Sequence, residues 1–294
     1  RDKINIEISD AYNFSANQLT GSEIILDEAS VTATENIMMA AVLAKGETVI
    51  YNAACEPHVQ DLARLLNNMG ANIKGIGTNR LIIDGATKLQ GTAYDIQPDY
   101  IEIGSYIAAS VVTGGELKIP HIKDTLPIKV MERSYSQLGI HWSIENDTLY
   151  LPKQTNRSAV VDVGGTTPKI EDGIWPAFPS DLMSVSIVLA TQTKGTVLFF
   201  EKMFESRMYF VDHLMSMGAN IIQCDPHRVV VIGPTQLKGS RLTSPDIRAG
   251  MAMLIAACCA EGESLINNAQ VIDRGYESIE DRLSALGVDI VREK

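Results

Sequence analysis

In the stretch FPSDLMSVSIVLATQTKG, residues 178–195, one carboxylate stands at the mouth of a run that is otherwise apolar. Asp181 follows Pro179 where a helix would begin, and the free backbone N–H groups and macrodipole of a helix start favour a carboxylate there. A carboxylate so placed stays ionised with its oxygens held rigidly. It either caps the helix, as Ser180 could also do, or carries chemistry that uses an ionised carboxylate; the helix start alone leaves both open. Two further places set opposite charges two positions apart, Glu205 with Arg207 and Asp246 with Arg248. On an extended segment that spacing puts both side chains on one face. Each pair could then fix a functional arginine, or form a surface ion pair worth under about 1 kcal/mol.

The arginines matter because the chain as a whole is acidic. Its formal net charge of −11 argues against general nucleic-acid or anionic-membrane binding, both of which need a basic surface. An anionic small-molecule substrate would have to be met by a few local arginines. With 294 residues and 45% hydrophobic content the chain can bury one large core or two moderate ones. No apolar run reaches the eighteen or so residues of a membrane span, since even AGMAMLIAACCAEG is interrupted by Glu261. Cys55, Cys224, Cys258 and Cys259 lack C-x-x-C spacing and read as small buried hydrophobes in a reducing, cytoplasmic setting. His58, His121, His141, His213 and His227 show no ligand spacing, so neither a metal nor any other cofactor is expected.

Positioning these residues falls to a repeat. Four apolar helices, at TENIMMAAVLAKG, EIGSYIAASVVTGG, SDLMSVSIVLATQTKG and DIRAGMAMLIAACCAEG, are each followed by a second amphipathic helix. The second helices close at Gly70, Gly139, Gly218 and Gly287, and the first are expected to end at Gly46, Gly115, Gly195 and Gly262, where a left-handed cap is wanted. Between and after them the apolar period shortens to two, as in NRLIIDG and HRVVVIG, which read as strands. SEIILD, 22–27, reads as a leading strand, and residues 1–21 match the tail of a further unit. Such a unit cannot cover its own apolar faces, so copies must pack helix to helix with sheets outside. The expected class is α/β (α+β), with DIQPDYIEIG, 95–104, as the hinge between two domains.

At ASVTATENIMMAAVLAKGETVIYNAACEP, FPSDL, KMFESRMYFVDHLMSMGA, SPDIRAG and IDRGYESIEDRLSALG the sequence resembles the UDP-N-acetylglucosamine 1-carboxyvinyltransferase family of enolpyruvyl transferases. The likeness runs through nearly the whole chain, with five motifs in order. It implies βαβαββ units forming inside-out barrel domains, helices buried and sheets outside. Four of the family's six units would be present, as if the N-terminal third were lacking. Residues 1–97 would be the C-terminal part of the first domain and 98–294 the second. The first domain, with one complete unit, is then expected to be poorly ordered or to borrow contacts from a neighbouring chain, its α-helix exposing Ile37, Met38, Val42 and Leu43 in some combination, and the chain to be inactive alone.

The resemblance also implies the reaction: enolpyruvate passes from phosphoenolpyruvate to the 3-hydroxyl of UDP-N-acetylglucosamine with release of phosphate, the first committed step of peptidoglycan synthesis. Asp181 in FPSD would be the base that takes the hydroxyl proton. Arg248 and Arg274 would hold phosphoenolpyruvate, because a planar guanidinium grips carboxylate and phosphate in bidentate fashion. Met203, Glu205, Arg207 and Asp246 would join the substrate site, and Ser30, Val31 and Thr32 would meet the UDP phosphates at a helix N-terminus. The rival expectations are a shikimate-type enolpyruvyl transferase and a non-catalytic binding domain of the same fold.

Overall fold

In the computed structural model the described residues are 15–161 and 163–293; the reading of residues 1–21 as the tail of a unit falls mainly outside them. The chain divides into two compact units, Arg1–Gln97 and Pro98–Lys294.

Unit 1 runs β1 (Glu23–Ile25), α1 (Val31–Ala41), β2 (Glu47–Tyr51), α2 (Pro57–Asn68), β3 (Asn72–Lys74) and β4 (Arg80–Asp84). Its sheet has the order β1-β2-β4-β3, the first pair parallel and the others antiparallel. The parallel pair is forced by the α1 crossover, which returns the chain to the same edge. The two helices and the sheet enclose a core of their own, in which Met38, Ile50, Val59, Leu66 and Ile83 are buried. The expected exposure of the α1 apolar face holds for Leu43 and is corrected for Met38 and Val42, which are buried; Ile37 is half-buried, and Met39 also stands out into solvent. α2 and the sheet cover what the missing neighbours were thought to leave open. Beyond β4 the chain is tied back onto α2, where buried Asp61 accepts hydrogen bonds from the Tyr94 hydroxyl at 2.6 Å and the Gln97 amide at 3.2 Å.

Unit 2 runs α3 (Tyr100–Thr113), β5 (Leu117–Ile119), α4 (Leu126–Ser136), β6 (Ser143–Glu145), β7 (Thr148–Leu151) and β8 (Lys169–Glu171). A 3-10 turn at Ser180–Leu182 leads into α5 (Met183–Thr191), then β9 (Gly195–Phe200), α6 (Val211–Ser216), β10 (Asn220–Gln223) and β11 (Arg228–Gly233). The unit closes with β12 (Arg241–Thr243), α7 (Ile247–Cys259), β13 (Leu265–Asn267), a 3-10 turn at Ala269–Arg274 and α8 (Ile279–Ala285). α3, α5 and α7 pack on one another. Every residue of α5 is buried, which explains a helix that is apolar all round rather than on one stripe. Outside them lie the sheets β5-β7-β6, β8-β9-β11-β10 and β12-β13. The expected helix-inside, sheet-outside class holds.

The glycine reading is partly corrected. Gly70, Gly139, Gly218 and Gly287 do follow helix ends at positive φ. Gly46, Gly195 and Gly262 also have positive φ, but α1, α5 and α7 end several residues earlier, at Ala41, Thr191 and Cys259. These glycines turn the chain into the following strand rather than cap a helix. In α3 the left-handed cap is Gly114, with φ 71°, and not Gly115. The cysteine reading is corrected as well: Cys224 is exposed, and the other three are half-buried.

Candidate active site

Asp181 does not cap. The turn that carries it begins after Pro179, and no side chain caps either that turn or α5. Its carboxylate instead accepts from two guanidiniums, Oδ1 from Arg207 Nη1 at 2.8 Å and Oδ2 from Arg248 Nη2 at 2.8 Å. Burial on its own would raise the Asp181 pKa. The charges of Arg248 and Arg207, with their hydrogen bonds, outweigh burial and hold it below the ordinary aspartate value.

Each arginine reaches Asp181 from a different element. Arg248 lies in the first turn of α7, whose N-cap is Asp246, accepting from the Arg248 and Ala249 amides at 2.8 and 2.9 Å. Arg207 lies in the turn between β9 and α6, with its guanidinium 4.4 Å from the centre of the Phe204 ring. The spacing-two expectation is thereby corrected. Neither acid grips its neighbouring arginine, because 246–248 is a helix start and 205–210 a run of turns, and only an extended chain aligns i and i+2. Asp246 holds the helix that aims Arg248. Glu205 and Met203 are exposed on the same turn as Arg207, Met203 donating its amide to Asp172 at 3.3 Å.

Arg274 ends the 3-10 turn after β13 and is exposed, with no ion pair among the described residues. The next residue explains its placement. A Cβ on Gly275 would sit 2.7 Å from Ile247 Cγ2 and 3.6 Å from Arg248 Nη1, so only glycine lets this turn lie against the start of α7. The residue after that, Tyr276, was not singled out from the sequence. Its hydroxyl lies 3.5 Å from Arg248 Nη1 and 2.8 Å from Ser105 Oγ on α3, and its ring lies beneath the Arg248 guanidinium. A buried tyrosine needs a polar partner for its hydroxyl, and IDRGYE puts one within reach of the arginine; that was the available signal.

Ser30, Val31 and Thr32 belong to unit 1. Ser30 is the N-cap of α1, its Oγ accepting from the Ala33 amide at 3.3 Å, and Val31 and Thr32 form the first turn. Thr34 is buried below them and ties the start of α1 to the loop before α2, donating to the Ser30 carbonyl and accepting from the Ala54 amide.

Residues 3–283 match the profile of the family described as EPSP synthase (3-phosphoshikimate 1-carboxyvinyltransferase). Within that broad family, UDP-N-acetylglucosamine 1-carboxyvinyltransferase of Treponema denticola is 55% identical over 97% of this chain and 67% of its own length. That of Borreliella burgdorferi is 56% identical over 95% of this chain and 65% of its own. The chain belongs to the UDP-N-acetylglucosamine 1-carboxyvinyltransferase family. It spans about two thirds of the length of these family members. The fold is shared more widely among enolpyruvyl transferases. The enolpyruvyl transferase NikO of Streptomyces tendae superposes with a TM-score of 0.85 at 21% identity, covering 98% of this chain and 68% of that one. EPSP synthase of Acinetobacter baumannii gives 0.74 at 16% identity, over 97% and 68%.

Proposed function

We propose that the Asp181 cluster takes part in transfer of enolpyruvate from phosphoenolpyruvate to the 3-hydroxyl of UDP-N-acetylglucosamine, with release of phosphate, in the cytoplasmic synthesis of peptidoglycan. The observation that carries this reading is one carboxylate held between two guanidiniums that arrive from separate elements. Paired arginines suit a substrate bearing both a carboxylate and a phosphate. The carboxylate suits an alcohol, which becomes a competent nucleophile when a positioned base takes its proton as the C–O bond forms.

The same geometry explains how Asp181 acquires its basicity. While both arginines face it, its pKa is depressed and it is a weak base. Anionic oxygens of phosphoenolpyruvate compete for Arg207 and Arg248, and each contact they take over removes a charge that held the proton away. Substrate binding thus raises the Asp181 pKa at the moment a base is needed. Tyr276, fixed by Ser105, keeps Arg248 in place while its partner changes. Arg274 adds a further guanidinium from the turn packed beside Arg248. In unit 1, the start of α1 at Ser30–Thr32 offers amides and hydroxyls to the diphosphate of the sugar nucleotide.

The test is phosphate release from phosphoenolpyruvate by the protein that carries this chain, with UDP-N-acetylglucosamine or with shikimate 3-phosphate as acceptor. Release with the sugar nucleotide and not with shikimate 3-phosphate is expected. The reverse preference, or binding of either acceptor with no release, sinks the assignment.

A further inference from the structure

Beside Asp181 lies a second pair of acids that the transfer chemistry leaves unused. β8 and β9 run parallel with Glu171 opposite Phe200, and the inward phase of each strand continues one residue past its end. On β8 that phase is Ile170 and then Asp172; on β9 it is Val197, Phe199 and then Glu201. Asp172 and Glu201 therefore reach the interior side by side, 2% and 0% exposed. Their carboxyls face each other within hydrogen-bonding reach, and Ser180 Oγ lies 2.8 Å from both Glu201 oxygens. Two contacting carboxyls out of water repel each other strongly when both are ionised, which favours keeping a proton on the pair.

Three consecutive amides of the following loop end on this pair. Lys202 and Met203 donate to Asp172, and Phe204 donates to Glu201 Oε1 at 3.2 Å. Three residues further on stands Arg207, resting on the Phe204 ring and gripping Asp181. Ser180, on the other side, is the chain neighbour of Asp181. We propose that Asp172 and Glu201 share one proton, that this pair fixes the loop from Lys202 to Arg207, and that the Arg207–Asp181 contact depends on it. Glu201 and Asp172 are on this account positioning residues. The proposal stands on contacts within unit 2 and not on the substrate assigned above.

The remaining groups facing the pair are few. Arg207 approaches Glu201 and opposes its protonation, although burial and then Asp172 prevail and push the Glu201 pKa up to about 8. His227 Nδ1 lies 2.9 Å from the Glu201 backbone carbonyl, and the Lys202 ammonium turns away to Glu171 at 2.9 Å. Asp181 stays ionised beyond Ser180.

The closed loop then binds one proton more than an open loop in which Glu201 titrates near its ordinary 4.5. Its stability is fully present below that value and is lost as pH rises towards about 8. Hydrogen exchange at the Lys202, Met203 and Phe204 amides reads this directly, once intrinsic base catalysis is divided out. Opening should increase about tenfold per pH unit between about pH 5 and about pH 8 and level off above. Glu201→Gln, neutral at every pH and able to donate an N–H to Asp172, should abolish that slope while keeping the loop protected. His227 is present in both proteins, so its contribution cancels in the comparison. A flat profile in the unsubstituted protein overturns the proposal, as does an undiminished slope in Glu201→Gln. Should that variant not fold, Asp172→Asn replaces it: the levelling point should move below about 8, and an unmoved profile counts against the pair.

Discussion

The sheets β1-β2-β4-β3 and β8-β9-β11-β10 have the same strand order and the same senses, one parallel pair followed by two antiparallel ones. Only the second is joined to a cluster of charge. Ile25 pairs with Tyr51 as Glu171 pairs with Phe200, so the next residues, Leu26 and Asn52 in one sheet, match Asp172 and Glu201 in the other. In unit 1 the Asn52 side chain simply donates to the Leu26 carbonyl at 3.0 Å, a neutral bond that closes the sheet end. In unit 2 the same two places hold carboxyls that gather a loop and, through it, Arg207. The helix starts differ in the same sense. Ser30 caps α1 locally, whereas Asp181 leaves its own helix start for two distant arginines. A repeated backbone therefore supplies equivalent positions, and the side chains at strand ends and helix starts decide whether they become structural closures or chemistry.

The largest test of that contrast is Asp181→Asn. The amide cannot take a proton, so turnover by the protein that carries this chain should fall about 100-fold or more. Circular dichroism should show the fold retained, because the residue caps nothing. Turnover within a few-fold of the unsubstituted protein rules out the base role. The same variant should remove an acid-sensitive component of stability. The depressed Asp181 pKa stabilises the fold above the ordinary aspartate value, and that contribution is lost as pH falls through the lower folded value.

Arg248→Lys comes next. Lysine keeps the charge and loses the fork, so phosphoenolpyruvate affinity should drop about tenfold by calorimetry, with the sugar nucleotide little affected. An equal loss for both ligands would mark Arg248 as a general support for the start of α7.

Unit 1 should respond mainly in stability, with sugar-nucleotide binding touched only at the start of α1. Asn52→Ala removes the bond to Leu26 and places alanine at φ 57°, a left-handed conformation that disfavours a Cβ. Together these should cost about 2 kcal/mol in denaturant unfolding. The smallest effect is expected of Ser30→Ala, about 1 kcal/mol for a lost cap, read in the same experiment. Sugar-nucleotide binding should weaken with it, because the same hydroxyl is offered to the diphosphate; lost stability with binding untouched would leave Ser30 a structural cap only and widen the contrast between the two units.

The repeat was legible because it is written in local periods: apolar residues at helical spacing, alternation in NRLIIDG and HRVVVIG, and glycines where the backbone must turn with positive φ. Those signals depend on neighbours in sequence, and they located the eight α-helices among the described residues. The same locality explains the misreadings. Charges two apart in FESR and SPDIR suggested partners, but partnership required knowing that one segment is a turn and the other a helix start. The unit 1 helix was expected to be uncovered because its cover, α2 and its own sheet, was judged by repeat count rather than by packing.

By itself the sequence determined which stretches are helices and strands, that apolar helices must be buried against one another, and that Asp181 begins one of them. Asp172 and Glu201 were not singled out from it, because a lone acid one residue past a strand says nothing of its partner. Tertiary structure alone decided that Arg207 and Arg248 converge on Asp181, that Tyr276 braces Arg248, and that two acids meet in the interior. The reason is physical. Secondary structure follows from interactions within a few residues, whereas the ionisation of a group depends on the charges and the water around it, and both are set by segments far away along the chain.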